Sequence, residues 1–213
     1  MLNNFKYIIW DWNGTLFNDT ELCVDIINGI LLRRKLQTLT LKKYREIFTF
    51  PVKEYYRKTG LDFNKYSFEI LGKEWMDEYE TRKHEASLHE GAIDILKYIS
   101  NRAKQQAILS AYSQLTLIEI VKYFNIDHYF THLSGLDNIY AGSKIEIGKR
   151  LLTQLKCKPN ETVLIGDTVH DYEVANELGI KCLLVANGHQ NKEKLLTCNV
   201  KVFNSLMDLY KTF

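Results

Sequence analysis

The stretch Ile8-Ile9-Trp10-Asp11-Trp12-Asn13-Gly14-Thr15-Leu16 decides how the chain is read. An apolar run stops at an aspartate, and an Asn-Gly turn follows at once. The run has the composition of a buried strand, and the turn ends it abruptly. Such a strand delivers a carboxylate to the end of a sheet, and in open α/β sheets that edge is where ligands bind. A carboxylate there serves as a metal ligand or as a nucleophile.

Outward from this strand, at Tyr7–Trp10, short apolar runs alternate with helical patterns. Gln106–Ala111, Tyr129–Leu133, Val163–Gly166, Cys182–Ala186 and Val200–Phe203 read as strands. Ala92–Asn101, Gln114–Phe124, Lys144–Leu155, Tyr172–Leu178 and Ser205–Tyr210 read as helices. Strands spaced by helices predict an α/β fold, a doubly wound parallel sheet covered on both faces. One region breaks the alternation. From about Thr20 to about Glu90 no strand is evident, and the pattern is helical over Glu21–Arg34, Leu41–Phe48, Val52–Thr59 and Tyr66–Lys83, with Pro51 as a breaker. That is too long for an ordinary crossover. The division expected is an α/β core of residues 1–18 and 88–213 with an inserted helical cap domain at 19–87.

Bulk composition narrows the partners. The chain has 213 residues, 46% hydrophobic and 25% charged, with a formal net charge of +2. A near-neutral balance gives no reason to expect nucleic acid or an anionic membrane as partner. Cys23, Cys157, Cys182 and Cys198 form no Cys-x-x-Cys pair and read as structural thiols in a reducing compartment. No leader-like apolar segment precedes the first strand, and no run reaches the length of a membrane span. The expectation is a cytoplasmic protein, a monomer by default with a dimer left open.

Polar residues capable of chemistry follow four of the strands: Asp11 with Asn13, Ser110, Lys144, and Asp167 with Asp171. In a parallel sheet these loops lie on one edge. Two acidic clusters, a hydroxyl and an amine suit phosphoryl transfer. Hard carboxylate oxygens hold Mg²⁺, the lysine and serine hold phosphate oxygens, and Asp11 attacks phosphorus. Gly142-Ser143-Lys144 lacks the spacing of a P-loop, and no Gly-x-Gly-x-x-Gly fingerprint occurs.

The set resembles the haloacid dehalogenase superfamily of phosphatases, whose first motif reads Asp-x-Asp-Gly-Thr. Here it is Asp11-Trp12-Asn13-Gly14-Thr15. Ser110 matches the second motif, Lys144 the third, and Gly166, Asp167 and Asp171 the acidic fourth. The helical insertion after the first motif is similar to the C1 cap of the phosphoglycolate phosphatase-like branch. The resemblance implies Asp11 as nucleophile and metal ligand, with residue 13 giving its carbonyl to the metal and its side chain to acid–base work. It implies Gly14, Thr15, Ser110, Ala111 and Lys144 around the phosphate, and Asp11, Asn13, Asp167 and Asp171 around Mg²⁺. The substrate class it implies is a small phosphorylated metabolite.

Asn13 departs from that motif. An amide neither donates nor takes a proton at useful pH, and general acid–base help is typically worth about 10²–10⁴ in rate. The reading is therefore a Mg²⁺-dependent phosphatase acting through an aspartyl-phosphate, attenuated or selective for good leaving groups. Its alternatives are a phosphotransferase or mutase of the same fold and a phosphoester-binding pseudo-phosphatase. His170 and His189 are expected at the surface, and Trp10 and Trp12 in packing. Lys53, Tyr56 and Arg57 are candidates for the cap side of the site.

Overall fold

Ile8, Ile9 and Trp10 are fully buried, as a strand covered on both faces requires. The computed structural model describes residues 2–136 and 143–212. In chain order its elements are β1 (Tyr7–Trp10), β2 (Phe17–Asn18), α1 (Thr20–Arg33), α2 (Leu41–Ile47), α3 (Val52–Lys58), α4 (Phe68–Arg82), β3 (Ser87–Leu88), α5 (Ala92–Ser100), β4 (Gln105–Ser113), α6 (Gln114–Tyr123), β5 (His132–Leu136), α7 (Lys144–Leu155), β6 (Thr162–Gly166), α8 (Val169–Glu177), β7 (Lys181–Val185), α9 (Lys192–Leu196), β8 (Lys201–Phe203) and α10 (Leu206–Tyr210).

Six strands pair in the order β5-β4-β1-β6-β7-β8, every pair parallel. β1 therefore lies in the middle, with β4 and β6 as neighbours. Side chains alternate between faces. Ile8 and Trp10 join one core with α5 (Ile95, Ile99), α6 (Leu117, Ile120) and α10 (Leu206, Leu209). Ile9 joins the other with α7 (Ile147, Leu151), α8 (Val174) and α9 (Leu195). This is the doubly wound parallel sheet that the alternation of elements predicts.

α1–α4 lie between β2 and β3. The first core continues into them through Leu22, Ile26, Ile30, Tyr44, Tyr55 and Tyr79. α1 packs on α4. Arg34 pairs with Glu74 (2.5 Å) and Arg82 with Asp25 (2.8 Å) across that contact. β2 and β3 form a two-stranded antiparallel ladder, Phe17 opposite Leu88 and Asn18 opposite Ser87. The chain thus leaves for the helical insert and returns from it at adjacent points.

Five elements differ from the sequence reading, among them α9, where the sequence reading has no helix. The strand expected at Tyr129–Leu133 is β5, His132–Leu136, because a 3₁₀ turn occupies Asp127–Tyr129 after left-handed Asn125. α8 begins at Val169 rather than Tyr172, since Thr168 caps it through a capping box with Asp171. β2 and β3 are two residues each, too short to leave an alternation. Among the described residues no helix is long and apolar enough to cross a membrane. Gly142, part of the expected lysine-bearing turn, lies outside the described residues.

Candidate active site

The turn after β1 is fixed by its own hydrogen bonds. The Asp11 amide donates to Ile165 O (2.9 Å), which continues the ladder to β6, and the Leu16 and Phe17 amides donate to Trp12 O (3.1 and 2.9 Å). Gly14 has φ +76, and a Cβ there would sit 2.4 Å from Asp167 Oδ2 and 2.5 Å from the His189 ring. Only glycine lets this turn close against the loop after β6. The loop ends bring Asp11, Asp167 and Asp171 together, with carboxylate oxygens within 4.8 Å of one another, all buried.

Lys144, the first residue of α7, crosses between them. Its Nζ donates to Asp11 Oδ1 (2.5 Å) and Asp171 Oδ1 (2.6 Å). A cation at a helix N-terminus opposes the macrodipole, and the two carboxylates offset that cost. Thr15 Oγ1 lies between Asp11 Oδ2 (3.1 Å) and Asp167 Oδ1 (3.0 Å). Asp171 Oδ2 accepts from the Thr168 amide (3.0 Å) and hydroxyl (2.6 Å), so this residue caps α8 and faces Lys144 at once. Ser110, near the end of β4, is buried and its Oγ accepts from the Tyr112 amide (3.0 Å).

These groups form the floor of a cavity of about 320 Å³ lined by Asp11, Asn13, Ser110, Ala111, Lys144, Asp167 and Asp171 and roofed by α2–α4. Gly14 and Thr15, expected at the phosphate, lie beneath the floor and do not line it. Their amides are occupied, Gly14 N by Phe17 O (2.8 Å) and Asp19 Oδ1 (3.0 Å), Thr15 N by Trp12 O (3.2 Å). Among the three cap candidates Tyr56 lines the cavity; Lys53 and Arg57 are not among its lining residues.

Sequence reasoning missed a second buried cluster. Asp19, at the N-terminus of α1, is 1% exposed. Its Oδ2 accepts from Asn13 Nδ2 (2.8 Å) and Tyr79 Oη (2.6 Å), and its Oδ1 lies 3.3 Å from His189 Nε2. Asn13 Nδ2 also donates to Tyr79 Oη (2.7 Å). His189 is not at the surface as expected. It is buried, with Tyr44 Oη at 2.9 Å from Nδ1, and its amide donates to Asp167 Oδ2 (2.6 Å). His170 is partly buried at the cavity rim, its ring stacked on Phe50 at 4.7 Å. Trp10 and Trp12 pack as expected, Trp12 stacking on Phe17 at 5.3 Å.

Charge is unevenly matched here. Burial pushes Asp167 up to about 8, against the pull of His189. Burial likewise pushes Asp11 up to about 6, although Lys144 opposes it. Asp171 stays below its ordinary value; burial opposes this, but Lys144 beside it prevails. Burial works against ionisation of Asp19 and His189 too, yet their contact wins: Asp19 is held at about 2 and His189 is raised to about 9. Asp19 and His189 are thus a buried ion pair. Burial lowers His89 to about 4, so this ring is neutral; its Nε2–H donates to Gly14 O (3.0 Å) and its Nδ1 accepts from Asn187 (2.9 Å).

Asp11, Asp167 and Asp171 place more buried negative charge around one point than Lys144 balances. An all-oxygen donor set of this charge fits Mg²⁺ and not a softer metal.

A family profile for haloacid dehalogenase-like hydrolases matches residues 8–185. The chain belongs to that family. Parallel pairing of β1 with β4 and β6 brings Asp11, Ser110 and Asp167 to one edge of that core. Pyrophosphatase PpaX of Halalkalibacterium halodurans is 26% identical over 192 residues, covering 84% of this chain and 82% of that protein. Tyrosine-protein kinase PtkA of Mycobacterium tuberculosis is 27% identical over 104 residues, 48% of this chain, and the match spans only 36% of that protein's length. Among solved structures, a haloacid dehalogenase-like family hydrolase of Streptococcus pneumoniae superposes with a TM-score of 0.83 at 21% identity, covering 99% of both chains.

Proposed function

We propose that this haloacid dehalogenase-like hydrolase is a Mg²⁺-dependent phosphatase of small phosphate monoesters. The observation that carries the reading is the convergence of Asp11, Asp167 and Asp171 with Lys144 beneath one cavity. Asp11, Asp167 and the Asn13 carbonyl would hold the metal, with Asp171 acting through a water. Bound there, Mg²⁺ neutralises phosphate charge as it spreads in the transition state.

The protein groups do the rest. Lys144 and Ser110, with the Ala111 amide, hold the phosphate oxygens. Asp11 attacks phosphorus, the P–O bond to the leaving group breaks, and an aspartyl-phosphate forms on Asp11. Water then attacks that phosphorus and frees Asp11. Asn13 supplies neither the proton for the leaving oxygen nor a base for the water, so both half-reactions lose that help and the second is slow. Residues 19–87 act as the cap that closes over the site and excludes water.

Asn13 also supports a second reading, transfer of the phosphoryl group from Asp11 to an acceptor other than water. A long-lived aspartyl-phosphate favours it. We place the protein in the cytoplasm, where its four unpaired thiols persist, acting as a monomer on a small phosphorylated metabolite with neither nucleic acid nor membrane as partner.

The test is phosphate release from a panel of alkyl, aryl and acyl phosphates by wild type and Asp11→Asn, with Mg²⁺ and with chelator. Release that needs both Asp11 and Mg²⁺ supports the reading. Mg²⁺ and phosphate affinity without release selects the pseudo-phosphatase, and product appearing on added alcohols instead of water selects transfer.

A further inference from the structure

We infer that the substrate is the phosphate monoester of a neutral aromatic alcohol, and that a second anionic group on the ligand is rejected. The inference rests on the phosphatase reading for its phosphoryl end; its aromatic end rests on the roof of the cavity. That roof is built from Phe48, Phe50, Tyr55, Phe68, Trp75 and Tyr79. The rings hold one another in place: Trp75 stacks on Tyr79 at 4.8 Å, Tyr55 packs against Phe48 at 5.2 Å, and Phe68 meets Tyr56 edge-on at 5.6 Å. Such a surface presents apolar faces and ring edges to a ligand, the partners an aromatic group prefers.

The cations that line the cavity are engaged. Among the described lining residues only Lys144, His170 and His189 can carry positive charge. Lys144 faces Asp11 and Asp171, and His189 faces Asp19. His170 Nδ1 lies 3.4 Å from Glu173. Four further cations, three of the cap and Lys194 of α9, are engaged as well. Arg45 donates to the Gly188 and Asn187 carbonyls, Lys53 lies over the Phe63 and Phe68 rings, Arg57 lies over Phe63, and Lys194 donates to Phe48 O. The segment 137–142 contains neither lysine nor arginine. A carboxylate, as in phosphoglycolate, or a second phosphoryl group, as in pyrophosphate, would be desolvated here with no counter-charge, which is costly.

A second feature points to an occupant. Tyr55 is 3% exposed and lines the cavity, and its hydroxyl has no hydrogen-bond partner among the described residues. Buried hydroxyls are normally satisfied. Tyr55 Oη would be satisfied by an uncharged oxygen or nitrogen acceptor on the aromatic group. The same substrate class also meets the deficiency at Asn13, because a phenol-like oxygen leaves without needing a proton.

Phosphonates test this without turnover. Titration calorimetry on the full chain at fixed free Mg²⁺ compares 1-naphthylmethylphosphonate with phosphonoacetate and methylenediphosphonate. The expected result is binding of the naphthyl compound at least about thirtyfold tighter than either charged compound. Equal or tighter binding of a charged phosphonate overturns the inference, and so does failure of the naphthyl compound to bind. Met76 lines the cavity yet is 44% exposed, so Met76→Arg can add a cation without burying it. It should tighten phosphonoacetate binding about tenfold; no change would count against the charge argument. Phosphate release is scored separately. Selective naphthyl binding with no release from 1-naphthyl phosphate removes the phosphatase reading and keeps the cavity preference. Faster release from phosphoglycolate than from 1-naphthyl phosphate does the reverse.

Discussion

The floor and the roof of the cavity are built on opposite plans. The floor lies at the sheet edge and carries three carboxylates with oxygens within 4.8 Å of one another, a lysine paired with two of them, and a buried serine. The roof comes from the inserted helices and is aromatic, and Arg45, Lys53 and Arg57 beside it are engaged by carbonyls and rings. We therefore assign reaction to the floor and selection to the roof. Floor residues should govern kcat whatever the alcohol, and roof residues should govern KM according to the alcohol.

The sharpest break would come at Asp11. Asp11→Asn should lower phosphate release by roughly 10⁴-fold or more for every substrate, because the nucleophile is lost while the roof is untouched. A large residual rate with one alcohol would mean that the floor does not act uniformly. Asn13→Asp should do the opposite. The new carboxylate would lie beside Asp19, whose Oδ2 is 2.8 Å from the present amide nitrogen. Two adjacent carboxylates share a proton, so one of them is poised as an acid near neutral pH. Steady-state assays should show kcat on alkyl phosphates rising by about 10²–10⁴, with aryl phosphates gaining much less.

The Asp19–His189 pair joins floor to roof and should show in stability. His189 is raised from 6.5 to about 9, so its contribution is complete below pH 6.5 and disappears as pH rises through 9. Asp19 is lowered from 3.8 to about 2, so its contribution is complete above pH 3.8 and is lost as pH falls through 2. In chelated protein, His189→Gln should cost on the order of 3 kcal/mol, measured by denaturant unfolding between about pH 4 and 6.5, and much less above pH 9. A difference independent of pH would refute the ion pair. The smallest effect belongs to the roof. Trp75→Ala should raise KM for naphthyl phosphate about tenfold and leave kcat within about twofold.

The floor was legible in the sequence because its information is local. Asp11, Lys144 and Asp167 each stand at the end of a strand or the start of a helix, and parallel topology brings such positions to one edge. Asp171 could have been read further, since Thr168-x-x-Asp171 is a capping signature that moves the start of α8 forward. The Asp19–His189–Tyr79 cluster was not legible. His189 follows a strand with no flanking motif, and its partners Asp19 and Tyr44 lie in the first quarter of the chain, so nothing in its neighbours distinguishes it from a surface histidine. The shift of β5 has a different cause. Tyr129 and Phe130 resemble strand residues, but left-handed Asn125 and the 3₁₀ turn after it delay the strand to His132. The aromatic roof was hidden because helical spacing shows which residues are apolar, and only the packing of α2, α3 and α4 over the sheet edge shows that they face a cavity.

The central claim, that Asp11 takes the phosphoryl group, is tested most directly by trapping it. Enzyme mixed with an aryl phosphate and Mg²⁺ is quenched within the first turnover, reduced with borohydride and mapped by mass spectrometry. Because Asn13 leaves the second half-reaction slow, the account predicts a burst of about one aryl alcohol per chain and homoserine in place of Asp11. Linear release from zero time with an unmodified residue 11 would contradict it.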